Sequence, residues 1–210
     1  MAANGETVMG PRKPLDPEAL LFILIGASAV GKSALAEGLC EAGIVEATPT
    51  WTTRPPRQGE RDTCYDHRFV SDEAFDRQTR KEGFIDQHAL YGARYGVPFI
   101  AAPANGREAL MVLKPQFMPV MIEHFPRARI YQVEATTEVL PDRMRARGQS
   151  LEDIAARMGQ HQAETEAARS FAHVIIDNNG PFELTLDQVQ SRIRTDREAY
   201  DAQHIPVAAD

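Results

Sequence analysis

Eight consecutive residues, Gly26-Ala27-Ser28-Ala29-Val30-Gly31-Lys32-Ser33, satisfy G-x-x-x-x-G-K-[ST] at every fixed position. Each fixed residue has a physical task in holding a phosphate chain. The glycines permit a tight turn that points successive backbone N–H groups inward. A helix starting at the end of such a turn directs its positive pole at the same point. Lys32 has the reach for β and γ phosphates, and the Ser33 hydroxyl is a hard oxygen ligand suited to Mg²⁺.

A second cluster follows at Thr50-Trp51-Thr52-Thr53-Arg54-Pro55-Pro56-Arg57-Gln58-Gly59-Glu60. Two arginines three positions apart in a proline-stiffened loop form a preordered anion clamp, because the planar guanidinium binds phosphate bidentately. A third cluster is Arg143, Arg145 and Arg147, with Arg157 further along. Cys64 and His67 have the spacing of a metal-ligand pair, but no second pair completes a tetrahedral site.

These residues must be carried by a scaffold, and the periodicity describes one. Leu20 to Ile25 is a continuous apolar run, as a strand buried on both faces of a parallel sheet requires. A helix is expected from Lys32 to Ala42, ended by Gly43. Residues 47 to 70 read as irregular or extended, broken by Pro49, Pro55, Pro56 and Gly59. Ser71 caps a helix reaching Glu82, Phe84 to Ala89 is a candidate strand, and Gly92 and Gly96 bracket a tight turn. Ala109–Leu113, Ala128–Val133 and His173–Ile176 read as further buried strands. Thr137 starts a helix ending near Gly148, and Ser150 to Asp153 resembles a capping box for the next. Pro115 opens a short helix that Pro119 is expected to kink. Residues 183 to 202 form a last amphipathic helix. Strands alternating with helices predict an α/β domain with a mainly parallel sheet. Residues 1 to 18 read as a flexible leader, and 19 to 205 as the domain itself.

Composition narrows the function classes. Among 210 residues, 43% are hydrophobic and 25% charged, enough for a sizeable core. The formal charge is −7, which argues against a general nucleic-acid binder, so the local arginines suit a compact anion. Two cysteines without paired spacing predict a reducing compartment. No apolar run has membrane length, and the N-terminal residues lack the charged-then-apolar order of a signal peptide. A soluble cytoplasmic protein is expected, and no oligomeric state can be read.

The ordered motifs resemble the guanylate kinases, P-loop nucleoside-monophosphate kinases whose signature reads T-T-R-x-P-R-x-G-E followed by D-Y-x-F-V-S. Here the later part is Asp66-His67-Arg68-Phe69-Val70-Ser71. Phe84-Ile85-Asp86 and Tyr91-Gly92-Ala93-Arg94-Tyr95-Gly96 are similar to the family's F-[IL]-E and G-x-x-Y-G segments, and Leu140 to Gly148 to its lid. The resemblance covers most of residues 20 to 180. It implies a core over 19–49 and 98–205, an acceptor-binding subdomain over 50–97 and a helical lid over 137–165. It implies ATP and Mg²⁺ as cofactors and GMP as the acceptor. Arg54, Arg57 and Tyr95 then match acceptor-phosphate contacts, Thr50 a guanine contact, and Glu60 a pocket residue. Asp86 matches a guanine-reading glutamate on a shorter arm, and His67 a tyrosine that contacts the acceptor phosphate. Lys32, Arg143, Arg147 and Arg157 match the catalytic cations that neutralise the transferring phosphoryl group.

The sequence also departs from the family. Val97 replaces a Ser or Thr, and the family's D-x-D-x-Q-G stretch falls on Val112-Leu113-Lys114-Pro115-Gln116-Phe117, where both acids are absent and a lysine reverses the charge. Asp177-Asn178-Asn179-Gly180 is closer to a run in the ribose 1,5-bisphosphate phosphokinases, relatives that phosphorylate a sugar bisphosphate. Three readings stand at this stage: a GMP kinase, a sugar-phosphate kinase, and a non-catalytic binding module on the same scaffold.

Overall fold

A computed structural model describes residues 12–56, 60, 62–63, 65–90 and 92–203. Its core is a five-stranded sheet of β1 (Leu21–Ile25), β2 (Val45–Ala47), β7 (Glu108–Val112), β8 (Arg129–Glu134) and β9 (Val174–Asp177), in the order β2-β7-β1-β8-β9. Every pairing in it is parallel. All five residues of β1 are fully buried, which explains the unbroken apolar run. Phe22 and Leu24 face one layer of helices, with Leu35, Leu39, Val189 and Ile193. Leu21, Ile23 and Ile25 face the other, with Phe117, Met118, Met121 and Ala168. Each such side chain contributes about 1.5–3 kcal/mol of burial, so the central strand anchors both layers.

The first layer is built by α1 (Lys32–Glu41) and α6 (Phe182–Gln203), and the second by α3 (Met118–His124) and part of α5 (Leu151–Arg169). Helix α1 ends at Gly43, whose φ of +70° suits glycine. A second sheet of four strands, β3 (Thr50–Thr52), β4 (His67–Phe69), β5 (Asp86–Leu90) and β6 (Ala93–Val97), has the order β4-β3-β6-β5. With α2 (Asp72–Lys81) it makes up the described part of residues 50–97, the segment expected to be the small acceptor-binding subdomain. Ser71 caps α2 by accepting the Ala74 N–H. The segment expected to be the lid holds α4 (Leu140–Ala146) and most of α5, and Ser150 caps α5 through the Asp153 N–H.

Over 47–70, where irregular or extended chain is expected, the extended reading holds at β3 and β4, which pair in parallel. Several local expectations are corrected. Gly96 does not bracket a turn: it lies inside β6, where an added Cβ would sit 2.7 Å from the Phe84 ring. Helix α4 begins at Leu140 rather than Thr137, with Pro141 in its first turn, where a missing N–H costs nothing. Pro119 likewise stands in the first turn of α3, after a one-turn 3₁₀ helix at Pro115–Phe117, and so kinks nothing. The leader is described only from Arg12. There Leu15 is buried and its N–H donates to the Ile100 carbonyl at 2.8 Å, so this stretch is packed on the domain. Among the described residues no helix is long and apolar enough to cross a membrane.

Candidate phosphoryl-transfer site

The residues 26–33 loop lies between β1 and α1 at the carboxyl edge of the parallel sheet. Gly26 and Gly31 adopt φ of +139° and +106°, and Ala29 +65°. A Cβ on Gly26 would fall 2.4 Å from the Val133 carbonyl oxygen, and one on Gly31 2.2 Å from Asn178 Nδ2. Both glycines are therefore required by conformation and by space. The buried Asn178 donates its amide to the Val30 carbonyl at 2.8 Å, pinning the loop to the end of β9.

Lys32 donates from Nζ to the carbonyls of Gly26 at 2.8 Å and Ala27 at 2.7 Å. An ammonium has three donors, so one remains for a phosphate oxygen. Burial pulls the Lys32 pKa down to about 8; Asp66 and Glu164 oppose this, while Lys114 and Arg147 add to it.

The loop forms one wall of an open cleft of about 810 Å³. Gly26, Ser28, Ala29, Lys32 and Ser33 line it from the core; Thr50, Arg54, Asp66, His67 and Tyr95 from the small subdomain; Arg147, Arg157 and Glu164 from the lid. Lys114 and the residues beside it complete the floor. Five cationic side chains (Lys32, Arg54, Lys114, Arg147, Arg157) face two carboxylates (Asp66, Glu164), so a protein of net charge −7 presents a locally positive site.

On the acceptor side, Arg54 donates to Glu60 at 2.7 Å and to the Pro55 carbonyl at 3.0 Å, with its guanidinium 5.1 Å from the Phe69 ring centre. Thr50 Oγ1 lies 2.7 Å from His67 Nδ1 and donates to the Asp66 carbonyl at 3.1 Å. The His67 pKa is held low by burial first, then by Arg54 and Lys114, against the opposing pull of Asp66 and Glu60. Tyr95 is buried, with the His67 ring centre 6.0 Å from its own and Lys114 Nζ 5.1 Å above its face.

Not every residue singled out in the sequence reaches the cleft. Glu60 touches it through Arg54. Asp86 stands at the start of β5, away from the lining residues, and accepts from the Gln87 N–H at 2.8 Å with His88 Nε2 at 3.0 Å. Arg143 also lies outside the lining and donates to the Asn178 carbonyl at 2.9 Å, while its Nη1 is buried without a hydrogen-bond partner among the described residues. Arg57, Arg61, Cys64 and Tyr91 lie outside the described residues. No group of three His, Cys, Asp or Glu suited to a metal occurs among the described residues.

Two cleft residues carry more than their sequence motif indicated. Asp66 accepts a hydrogen bond from Ser33 Oγ at 2.5 Å, and Arg157 donates to Ser28 Oγ at 3.0 Å. The donor set at Ser33, a hydroxyl with a carboxylate against it, consists of the hard oxygens that Mg²⁺ prefers.

The description of the family model matching residues 18–196 is guanylate kinase. A guanylate kinase from Nitrosococcus oceani is 29% identical over 191 residues, covering 84% of this chain and 89% of that protein. One from a Synechocystis strain is 31% identical, covering 82% and 90%. The crystal structure of guanylate kinase from Anaplasma phagocytophilum superposes with a TM-score of 0.59 at 19% identity, covering 93% of this chain and 98% of that one, a likeness of fold. Matched along residues 18–196 and carrying an intact phosphate loop, this chain belongs to the guanylate kinase family.

Proposed function

We propose that this chain transfers the γ-phosphoryl group of ATP to GMP, giving ADP and GDP. The observation that carries the reading is the meeting, in one cleft, of the phosphate-loop Lys32 with Arg54, His67, Thr50 and Tyr95 of the small subdomain. Curated relatives named guanylate kinase, similar over most of their length, support it.

The roles follow from charge and position. Lys32, held by two loop carbonyls, would neutralise β and γ oxygens of ATP. Arg54 and Tyr95 would hold the acceptor phosphate, with Arg57 of the same clamp. Thr50 and His67, already within 2.7 Å of each other, would orient the rest of the acceptor. Arg147 and Arg157 would stabilise charge spread over the transferring group, the main need of a loose transition state. Closure of α4 and α5 would exclude water that would otherwise take the phosphoryl group. Ser33 would hold Mg²⁺, which would offset the charge of the phosphates. A cytoplasmic location belongs to this reading.

Lys114 favours one second reading. Where the family has acids, this cation lines the cleft beside Tyr95, which suits an acceptor with more negative charge, such as a sugar bisphosphate. A coupled ADP-release assay with MgATP separates the two. Selective turnover of GMP supports the first; turnover of phosphorylated sugars with GMP inert replaces it with the second; ADP release with no acceptor among either class removes both.

A further inference from the structure

We infer that Asp66 supplies, from the acceptor-binding subdomain, the carboxylate that orients the metal-binding hydroxyl of the phosphate loop. The inference rests on the MgATP reading of the site above and goes beyond it.

A loop serine that ligates Mg²⁺ through its oxygen still has a proton, and a carboxylate that accepts this proton fixes the lone pairs toward the cation. In P-loop proteins an acid from the core sheet stands with this serine or threonine around the metal. Here the end of β7 continues as Leu113-Lys114-Pro115-Gln116-Phe117, with no acid in it. The cleft lining contains two carboxylates, Asp66 and Glu164. Of these, Asp66 takes the Ser33 hydroxyl proton, at 2.5 Å across 33 residues of chain.

The mounting of Asp66 fits such a task. Its backbone N–H donates to Thr63 Oγ1 at 3.0 Å, and its carbonyl accepts from both the N–H and the hydroxyl of Thr50. The residue is thus fixed at the junction of β3 and β4, next to His67. Because it adjoins β4, in the sheet that holds Thr50, His67 and Tyr95, one element would position both the cation and the acceptor. The metal arrangement is assembled only when that sheet sits against the phosphate loop.

The test is calorimetric titration of the full-length protein with ATP in Mg²⁺ and with ATP in a chelator, for wild type, Asp66→Asn, Ser33→Ala and Glu164→Gln. Electron paramagnetic resonance of Mn²⁺ with ATP reads the cation directly. Asp66→Asn is expected to lower the Mg²⁺-dependent gain in ATP affinity, the ratio of affinities with Mg²⁺ and with chelator for the same variant, by roughly tenfold or more. The Ser33→Ala and Asp66→Asn losses should be non-additive, since each breaks the same pair. An unchanged Mg²⁺ gain in Asp66→Asn, or its loss in Glu164→Gln alone, overturns the inference. Should Asp66→Asn not fold, a wild-type-like Mg²⁺ gain in Ser33→Ala overturns it, and a matching loss supports it. GMP turnover plays no part in these readouts, so the acceptor assignment can fail separately; a wild type indifferent to Mg²⁺ ends both.

Discussion

Arg157, on the long lid helix, donates from Nη1 to Ser28 Oγ in the phosphate loop at 3.0 Å, closing a separation of 129 residues. A lid arginine is thus already at the mouth of the loop where a transferring phosphoryl group would lie. Arg157→Ala should lower kcat by roughly 10²-fold or more with a much smaller change in the KM for ATP, as expected for a cation used in the transition state. Steady-state kinetics decide it; an equal rise in ATP KM with kcat preserved would assign Arg157 to ground-state binding.

Arg54 and Lys32 should separate by substrate. Arg54 stands on the subdomain side of the cleft, and hydrogen bonds to a charged group contribute about 1.5–3 kcal/mol. Arg54→Ala should therefore raise the acceptor KM about tenfold to a hundredfold, while ATP affinity holds. Lys32→Ala should instead nearly abolish turnover, because in the proposed role its charge would neutralise the phosphates that react. Equilibrium titration of each variant with ATP and with acceptor checks the split.

Gly96 tests the small subdomain as a packed unit. Its position inside β6 brings any Cβ to 2.7 Å from the Phe84 ring, which also packs against Trp51 and Phe75. Gly96→Ala should cost about 1–3 kcal/mol by overpacking. It should raise the acceptor KM through Trp51, its cross-strand partner, and Tyr95, its neighbour in β6, more than it affects ATP binding. A melting temperature and acceptor KM equal to wild type would refute this.

His173 should make the core less stable in acid. The Ile130 N–H donates to its Nδ1 at 3.1 Å, so the neutral ring is the one used in the fold. Partial burial first, then Arg129, hold its pKa below the ordinary 6.5, against an opposing pull from Asp196. Between the folded pKa and 6.5 the unfolded chain binds a proton that the folded one refuses. Stability therefore rises with pH through that window and is lost as pH falls through it. His173→Asn keeps an acceptor without titration, so its melting temperature should fall less than that of wild type between about pH 7.5 and about pH 5.5. A loss as large in the variant would place the acid sensitivity elsewhere, His67 being the next group with a lowered pKa.

What could be read directly from the sequence was local. The run Leu20 to Ile25, the eight-residue loop and the helix from Lys32 follow from burial periodicity and from a turn that only glycine permits, interactions that span a few residues. The Ser71 and Ser150 caps belong to the same class, since a cap and its N–H lie three residues apart. The cleft itself was decided by tertiary structure. Pairing of β3 with β4 and β6 carried Asp66 to Ser33, while the register of β5 against β6 left Asp86 bonded to His88 outside the lining. Arg143 and Arg157 come from neighbouring lid helices, yet one turned to the Asn178 carbonyl and the other to Ser28. Side chains of one type were separated by the partners that the fold brought to them from 35 and 129 residues away.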